Sequence, residues 1–217
     1  MRRQTSLRRG VARRLGGATV AAGAGYLIGS IPFGLLLGRA VRGLDVRDLG
    51  SGSIGTTNVL RAVGPGAAVA TFALDVGKGA AAIRCARALD AGPAGEVTAG
   101  IAAMVGHSWP VFAGFRGGKS VATAFGVLLE VSPEASGWAL AGGLTALTAT
   151  RTMSVASLVA AGSATVGAGV ATARGGDVAP LVFAGMASAL IVVRHSANVR
   201  RLLRGLEPRV SLPRTAA

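Results

Sequence analysis

The first stretch that could do chemistry is residues 48–61, DLGSGSIGTTNVLR, in a chain otherwise rich in Ala, Gly, Val and Leu. Consecutive Gly and Ser residues can turn their backbone N–H groups toward one point and form a concave anion site. Ser51, Ser53 and Asn58 add neutral hydrogen-bonding groups, and Arg61 adds a planar, bidentate charge that suits phosphate. The stretch therefore indicates a phosphate-binding loop, although a flexible turn with helix-capping side chains would use the same residue types.

A second glycine-rich stretch, residues 106–126, reads GHSWPVFAGFRGGKSVATAFG. Gly117 and Gly118 can expose backbone N–H groups, Lys119 supplies charge, and a helix is expected to begin just after them, so this loop also predicts an anion site. It lacks the first glycine of a nucleotide-binding phosphate loop and joins two apolar segments, which excludes an NTPase site. His107, near the end of the preceding segment, is a candidate catalyst or a structural hydrogen-bond partner.

A third polar stretch, residues 192–207, reads VVRHSANVRRLLRGLE. His195 and Asn198 are three residues apart, a spacing that places them on one face of a helix. The arginines around them are typical of a basic helix end that lies against anionic headgroups. That account does not explain the histidine and the asparagine, which we therefore treat as candidate site residues.

Two shorter features accompany these loops. Residues 150–157, TRTMSVAS, place Ser154 at the start of an apolar segment. Residues 74–79, LDVGKG, place Asp75 and Lys78 three apart inside another apolar run. Ionisable residues are costly in a membrane unless they are paired or functional, and we expect these two to form a mutual ion pair.

The composition of the chain indicates a membrane protein. Of its 217 residues, 51% are hydrophobic and only 15% are charged, well below the usual share in soluble domains. The net charge of +14 would also suit nucleic acid, but aromatic residues make up 4% and leave few stacking platforms for bases. The single cysteine excludes an internal disulfide and a cysteine-based zinc site.

Seven apolar segments are long enough, or nearly so, to lie in a bilayer. They are residues 18–37, 65–88, 93–112, 121–131, 135–150, 153–173 and 178–193. The fourth is short and could pair with the fifth as a hairpin of partial helices. We predict an all-α integral membrane protein, a compact bundle of about seven transmembrane helices in which small residues allow close packing.

The basic residues predict the orientation of this bundle. The first, third and fifth connections and the C-terminal tail hold most of the arginines, so these are expected to be cytoplasmic. The N-terminal extension, residues 1–17, breaks the pattern because it carries six arginines. We expect it to be poorly ordered, with one membrane-embedded domain over residues 18–207 and a tail over residues 208–217.

All the polar stretches thus fall on one predicted face, where they would form one phosphate-binding site at the bilayer surface. A transporter of a phosphorylated solute is the main alternative, but it would place charges along a path through the bilayer interior. A non-catalytic scaffold that binds anionic lipid is the other, and it would tolerate alanine at His195 or Asn198.

Five ordered blocks of this sequence resemble the bacterial acyl-phosphate:glycerol-3-phosphate acyltransferases of the PlsY type. They are GSGSIGTTNVLRAVG, LDVGKG, GHSWPVFAGFRGGKSVAT, TRTMSVAS and RHSANVRRLLRGLE. The resemblance implies a bundle of seven membrane helices in the bacterial plasma membrane. It also implies transfer of a fatty acyl chain from acyl phosphate to glycerol 3-phosphate, which gives lysophosphatidic acid and inorganic phosphate, the first acylation step of phospholipid synthesis.

Matching positions imply roles for twelve residues. Catalytic roles fall to Ser51, His107, His195 and Asn198, phosphate binding falls to Ser53, Asn58, Arg61, Gly117, Gly118, Lys119 and Ser154, and Glu207 supports them. The proton acceptor is left open between His195, His107 and a phosphate oxygen of the donor. The resemblance implies no metal and no cofactor, and we expect a monomer that binds its two substrates and membrane lipid but no nucleic acid.

The sequence departs from the family's usual pattern in the same blocks. Ser53 stands where asparagine is usual, Thr56 where alanine is common, and Ser120 where glycine often follows the lysine. We expect these changes to affect substrate affinity more than the type of reaction.

Overall fold

The structure, a computed structural model, describes residues 2–210, with side chains from residue 16 onward. Within that range the chain forms ten α-helices, two short 3-10 turns and no strand. The helices are α1 (Arg2–Gly29), α2 (Phe33–Arg42), α3 (Thr56–Ala62), α4 (Pro65–Ala88), α5 (Gly92–Ser108), α6 (Val121–Val131), α7 (Pro133–Thr150), α8 (Met153–Ala173), α9 (Ala179–Arg194) and α10 (Ser196–Leu203). The prediction of an all-α protein is therefore confirmed.

Proline marks the start of four of these helices. Pro65 and Pro133 open α4 and α7, and α5 and α9 each carry a proline within their first two positions. Proline fits there because its fixed φ suits a helix and its missing N–H would have no partner in the first turn. The Ser132 hydroxyl also accepts the Ala135 N–H and so caps α7. These starts divide the apolar sequence into short helices joined by tight connections.

Glycine lets the helices pack closely. A Cβ built on Gly29 of α1 would collide with the Ala103 carbonyl of α5, and one on Gly126 of α6 would collide with the Val76 carbonyl of α4. Small residues of this kind allow membrane helices to approach backbone to backbone. The largest core is formed by α4 to α9 and consists mainly of alanine, with Phe183 and Met104 fully buried in it.

The seven predicted segments correspond to α1 continued by α2, and to α4 through α9. Among the described residues, three stretches are long and apolar enough to cross a membrane alone, namely Gly16–Arg42, Pro65–Ala88 and Met153–Ala173. The pair α9 and α10 makes a fourth if a bend of 61° is counted as one broken span, and α6 is apolar but shorter. The short fourth segment of the sequence is thus a short helix here too.

Two finer expectations about the helices had different outcomes. The Asp75–Lys78 ion pair is confirmed, with Lys78 Nζ 2.8 Å from Asp75 Oδ1. The shared helical face of His195 and Asn198 is wrong, because α9 ends at Arg194 and α10 begins at Ser196. Both side chains nevertheless reach the same cavity from the two sides of this break. The domain boundaries at residues 17 and 207 stay predictions.

A set of ion pairs joins α4, α5 and α6 at the ends that lie away from the predicted site. Arg84 and Arg87 of α4 both contact Glu130 of α6, at 2.8 Å and 2.9 Å, and Arg87 also contacts Glu96 of α5. All four side chains are at least partly exposed, so each pair contributes little, about 1 kcal/mol or less.

Candidate active site

One polar cavity of about 440 Å³ lies where the loop before α3, the start of α6, the start of α8 and the α9–α10 break meet. Of the twelve residues predicted for the site, ten line it. They are Ser51, Ser53, Asn58, Arg61, His107, Lys119, Ser154, His195, Asn198 and Glu207. The remaining two, Gly117 and Gly118, do not line it. Side chains from stretches more than 150 residues apart in the sequence therefore converge on one space.

Asn58 holds the first loop together rather than facing the cavity with free groups. Its amide nitrogen donates to the carbonyls of Val46 at 2.6 Å, Ser53 at 2.8 Å and Leu49 at 3.1 Å. Its Oδ1 accepts the Ser51 N–H at 2.9 Å. The side chain is 2% exposed, and a buried amide with these partners has no donor to spare. The structure thus differs from the predicted phosphate contact, because the amide is consumed in shaping the loop.

The two glycines of the second loop also act by shape. Gly118 donates its N–H to the His107 carbonyl at 2.9 Å. Contrary to the prediction, this N–H therefore does not point into the cavity. A Cβ on Gly117 would collide with the same carbonyl, and one on Gly118 would collide with His107 Nε2. Only glycine lets the loop pack this closely on α5. The two glycines therefore set how closely the loop that carries Lys119 packs against α5.

Ser120, at the position where the family often has glycine, adopts a left-handed backbone with φ +62°. A side chain in that region is strained by about 1 kcal/mol or more. The hydroxyl offsets this cost, since it donates to the Met104 carbonyl at 2.6 Å and contacts the Ser108 hydroxyl at 2.7 Å in the buried interior. The strained turn ends directly in α6, so it aims the helix start at the cavity.

A chain of charge-assisted hydrogen bonds crosses the cavity wall. Lys119 Nζ donates to Asn198 Oδ1 at 2.6 Å, and Asn198 Nδ2 donates to Glu207 Oε1 at 2.6 Å. Arg201 Nε donates to the other oxygen of Glu207 at 2.7 Å. The bonds tie the start of α6 to α10 and to the segment that follows it. They leave one N–H of the Asn198 amide available to a ligand.

Two of these groups have shifted pKa values. Burial lowers the pKa of Lys119 to about 8. Burial alone would raise the pKa of Glu207, but the hydrogen bonds from Asn198 and Arg201 hold it below its usual range. At neutral pH the cavity therefore contains an ammonium that is easily deprotonated and a carboxylate that stays ionised.

The His195 ring is fixed by one backbone contact. Its Nδ1 lies 2.8 Å from the Ile191 carbonyl, and the side chain is 2% exposed. A carbonyl can only accept, so Nδ1 carries the proton and Nε2 of the neutral ring is left as an acceptor. Because His195 lines the cavity, this acceptor suits a general base.

Arg194 does not line the cavity but supports its second loop, a role that the sequence did not indicate. Its Nε donates to the Gly118 carbonyl at 3.0 Å, and its guanidinium lies 4.9 Å from the centre of the Trp109 ring. Tyr26 in α1 donates to the Trp109 carbonyl at 3.0 Å. These contacts clamp the second loop from two sides. Its neighbour His195 carried the sequence signal, while Arg194 looked like one more basic residue at a helix end.

A second, apolar groove of about 210 Å³ continues from the polar cavity between α6, α7, α8 and α9. Five residues line both spaces, namely Phe72, Val121, Ala122, Met153 and Ser157. The rest of the groove is almost entirely Ala, Leu and Ile. Such a space is suited to an alkyl chain whose polar end lies in the cavity.

The described part of the chain contains no cluster of side chains suited to bind a metal ion. Among the side chains described from residue 16 to residue 210, no group of three or more His, Cys, Asp or Glu is arranged to hold an ion. The cations of the cavity are instead Arg61, Lys119 and Arg201.

Comparison with known proteins identifies the family. The family model described as "Glycerol-3-phosphate acyltransferase" matches residues 19–205. A protein of that name from Anaeromyxobacter sp. (strain Fw109-5) is 51% identical over 195 residues, which cover 86% of this chain and 93% of the relative. One from Desulforudis audaxviator (strain MP104C) is 44% identical over 190 residues, covering 87% and 93%.

Two solved structures share the fold. Both are crystal structures of PlsY (YgiH), an integral membrane glycerol 3-phosphate acyltransferase, at 37% identity and 89% coverage of this chain. The glycerol 3-phosphate form gives a TM-score of 0.81 over 96% of that chain, and the lysophosphatidic acid form gives 0.79 over 95%. The chain described here is a multi-pass membrane acyltransferase and belongs to the glycerol-3-phosphate acyltransferase family.

Proposed function

We propose that this enzyme transfers a fatty acyl group from acyl phosphate to glycerol 3-phosphate, giving 1-acyl-glycerol 3-phosphate (lysophosphatidic acid) and inorganic phosphate. The observation that carries the proposal is that a cationic polar cavity opens into an apolar groove, with five residues lining both spaces. A donor with an alkyl chain and an anionic head would lie across both spaces. The acceptor would occupy the polar cavity beside it.

Arg61 and Lys119 are the groups we assign to the two phosphates. Arginine binds phosphate through two parallel N–H bonds, and lysine adds a compact positive charge. Anchoring both phosphates holds the glycerol hydroxyl against the acyl carbonyl, and such alignment can supply about 7 kcal/mol or more of the barrier reduction. Ser51, Ser53 and Ser154 line the same cavity and are assigned to the phosphate oxygens.

The reaction requires no redox step and no co-reactant. The hydroxyl oxygen of the acceptor forms a bond to the acyl carbonyl, and the bond between that carbonyl and the phosphate oxygen breaks. The spare N–H of Asn198 is placed to stabilise the tetrahedral oxyanion. The hydroxyl proton passes to His195 Nε2 or to the departing phosphate. The geometry favours both over His107, whose ring is packed against Gly118 and faces Asp75.

The cellular setting is part of the same proposal. The excess of basic residues in these connections supports a position of the active-site loops at the cytoplasmic face of the bacterial plasma membrane. The match over residues 19–205 supports one catalytic domain close to the predicted residues 18–207. We propose that this domain works as a monomer.

The test uses the purified chain in lipid with palmitoyl phosphate and glycerol 3-phosphate, following inorganic phosphate and lysophosphatidic acid together. We expect equal release of both products, and no product with palmitoyl-CoA as donor. Asn198→Ala should lower kcat by about 10²- to 10³-fold, as removal of an oxyanion donor does. Thr148→Ala, at an exposed position on α7, is the matched control and should leave kcat unchanged.

Three results would count against the proposal. Phosphate release without lysophosphatidic acid would indicate a hydrolase. Turnover with palmitoyl-CoA would indicate a different donor. A folded protein that binds glycerol 3-phosphate without turnover would restore the transporter interpretation.

A further inference from the structure

Three buried ionisable side chains lie together at the inner end of the polar cavity. Asp75 and Lys78 of α4 are 2% and 3% exposed, and His107 of α5 is 3% exposed. Lys78 Nζ lies 2.8 Å from Asp75 Oδ1, and His107 Nδ1 lies 3.5 Å from the same oxygen on another side. The acyl transfer step proposed above uses neither the carboxylate nor the ammonium. Burying ionisable groups away from water is costly, so the presence of this cluster requires an explanation other than the acyl transfer step itself.

The ammonium of this cluster is anchored on the backbone. Lys78 Nζ donates to the Ile31 carbonyl at 3.0 Å, in the break between α1 and α2. It also lies 5.7 Å from the centre of the Phe33 ring. Helix backbone has no spare carbonyl, so the break provides the acceptor that lysine needs. The ammonium is therefore fixed, and it fixes the Asp75 carboxylate in turn.

The imidazole transmits this position to the second loop. His107 Nε2 packs so closely on Gly118 that no Cβ fits between them, and the His107 carbonyl accepts the Gly118 N–H at 2.9 Å. Lys119, which reaches the cavity, is the next residue. A rotation or shift of the ring would therefore move the backbone from which this phosphate-binding side chain extends.

We propose that Asp75 is a positioning residue for acyl transfer, acting through His107 and Gly118 on the loop that carries Lys119. The inference rests on the proposed function and deepens it. The Asp75 oxygen lies 3.5 Å from His107 Nδ1 and attracts that edge of the imidazole from inside the helix bundle, as partners behind binding residues do in other sites. The competing role, neutralisation of Lys78 alone, would leave substrate binding unaffected in any variant that still folds.

The experiment compares Asp75→Asn, His107→Gln and the double variant in the coupled product assay, with KM measured separately for glycerol 3-phosphate and palmitoyl phosphate. We expect Asp75→Asn to raise KM for glycerol 3-phosphate and to lower kcat, by about ten- to a hundredfold in kcat/KM. The double variant should be no worse than His107→Gln alone, because one residue acts through the other. Glu130→Gln makes the same chemical change on α6, away from the cavity, and should leave both KM values unchanged.

Each result decides the question. Wild-type constants in folded Asp75→Asn, or additive losses in the double variant, would overturn the positioning role while wild-type turnover upholds the proposed function. An inactive wild-type protein would overturn both. If Asp75→Asn does not fold, Asp75→Glu keeps the charge and the Lys78 pair but moves the carboxylate by one methylene. A folded Asp75→Glu protein with an unchanged KM would then refute the inference, and a raised KM would support it.

Discussion

Lys119 is the residue of the cavity whose charge responds most readily to pH. Its pKa of about 8 results first from burial and is modulated by the charged groups around it. Those groups are Glu207, which raises the pKa, and Arg201, Arg194 and Arg61, which lower it. The ammonium is present below pH 8 and is lost as the pH rises through that value. Phosphate binding by this residue should therefore weaken on the alkaline side.

The ionisation of Lys119 should be visible in the pH profile of the enzyme. A phosphomonoester has a second pKa of about 6 and is mostly dianionic by pH 7, so between pH 7 and pH 9 the change in Lys119 dominates. With a pKa of about 8, KM for glycerol 3-phosphate should rise about tenfold over that range. In Lys119→Arg the guanidinium stays charged, and the rise should disappear even if kcat falls. Steady-state assays at fixed ionic strength measure this, and a variant that keeps the alkaline rise would place its origin elsewhere.

Single residues also show how far the sequence could predict the site. The types and spacing of Ser51, Arg61, Lys119 and Asn198 were enough to place them at one cavity. The roles of Asn58 and Gly118 were not, because each donates to backbone carbonyls whose position depends on folding. A polar residue near a phosphate loop can bind the ligand or the loop, and only the partner atoms distinguish the two.

At the scale of elements, the segment after α10 lies across the rim of the cavity. The Glu207 side chain accepts from Asn198 and Arg201, and the Val210 N–H donates to the Arg151 carbonyl at 2.7 Å. Sequence pattern predicted one helix through His195, whereas the chain breaks there and restarts at an angle of 61°. At this break the His195 ring contacts the Ile191 carbonyl of α9, and the chain beyond α10 returns over the site.

We expect Glu207 to hold the segment after α10 in place. Glu207→Ala removes two charge-assisted hydrogen bonds, and a loss of about 2 kcal/mol in local stability is typical of one such bond in a partly buried site. Hydrogen exchange at the Val210 amide should then accelerate roughly 30-fold, and kcat should fall because Asn198 loses its support. Glu134→Ala breaks an exposed pair with Arg174 and is the control, with no change at Val210. Unchanged exchange in Glu207→Ala would show that the segment is held by its backbone alone.

For the whole molecule, hydropathy predicted the seven segments because helices that lie in lipid must be built from apolar residues. That composition can be read directly from the sequence. The apolar groove could not be predicted in the same way. It exists only where α6, α7, α8 and α9 leave space between small side chains, and alanine at a lipid-facing position looks the same as alanine at a groove wall. Which alanines matter is therefore a property of the packed bundle.

Ala160 on α8 tests whether this groove holds the acyl chain. It lines the groove three residues, or just under one helical turn, beyond Ser157, which lines both the groove and the cavity. Ala160→Phe should block the distal part, and each methylene that loses its place costs about 0.8 kcal/mol, so displacement of two lowers kcat/KM for palmitoyl phosphate roughly 15-fold. Decanoyl phosphate, whose chain ends sooner, should be affected much less. Val159→Phe adds the same ring at the adjacent, 40% exposed position outside the groove and should change neither donor. Equal losses for both donors in Ala160→Phe would mean that the chain lies elsewhere and that the ring disturbs the cavity instead.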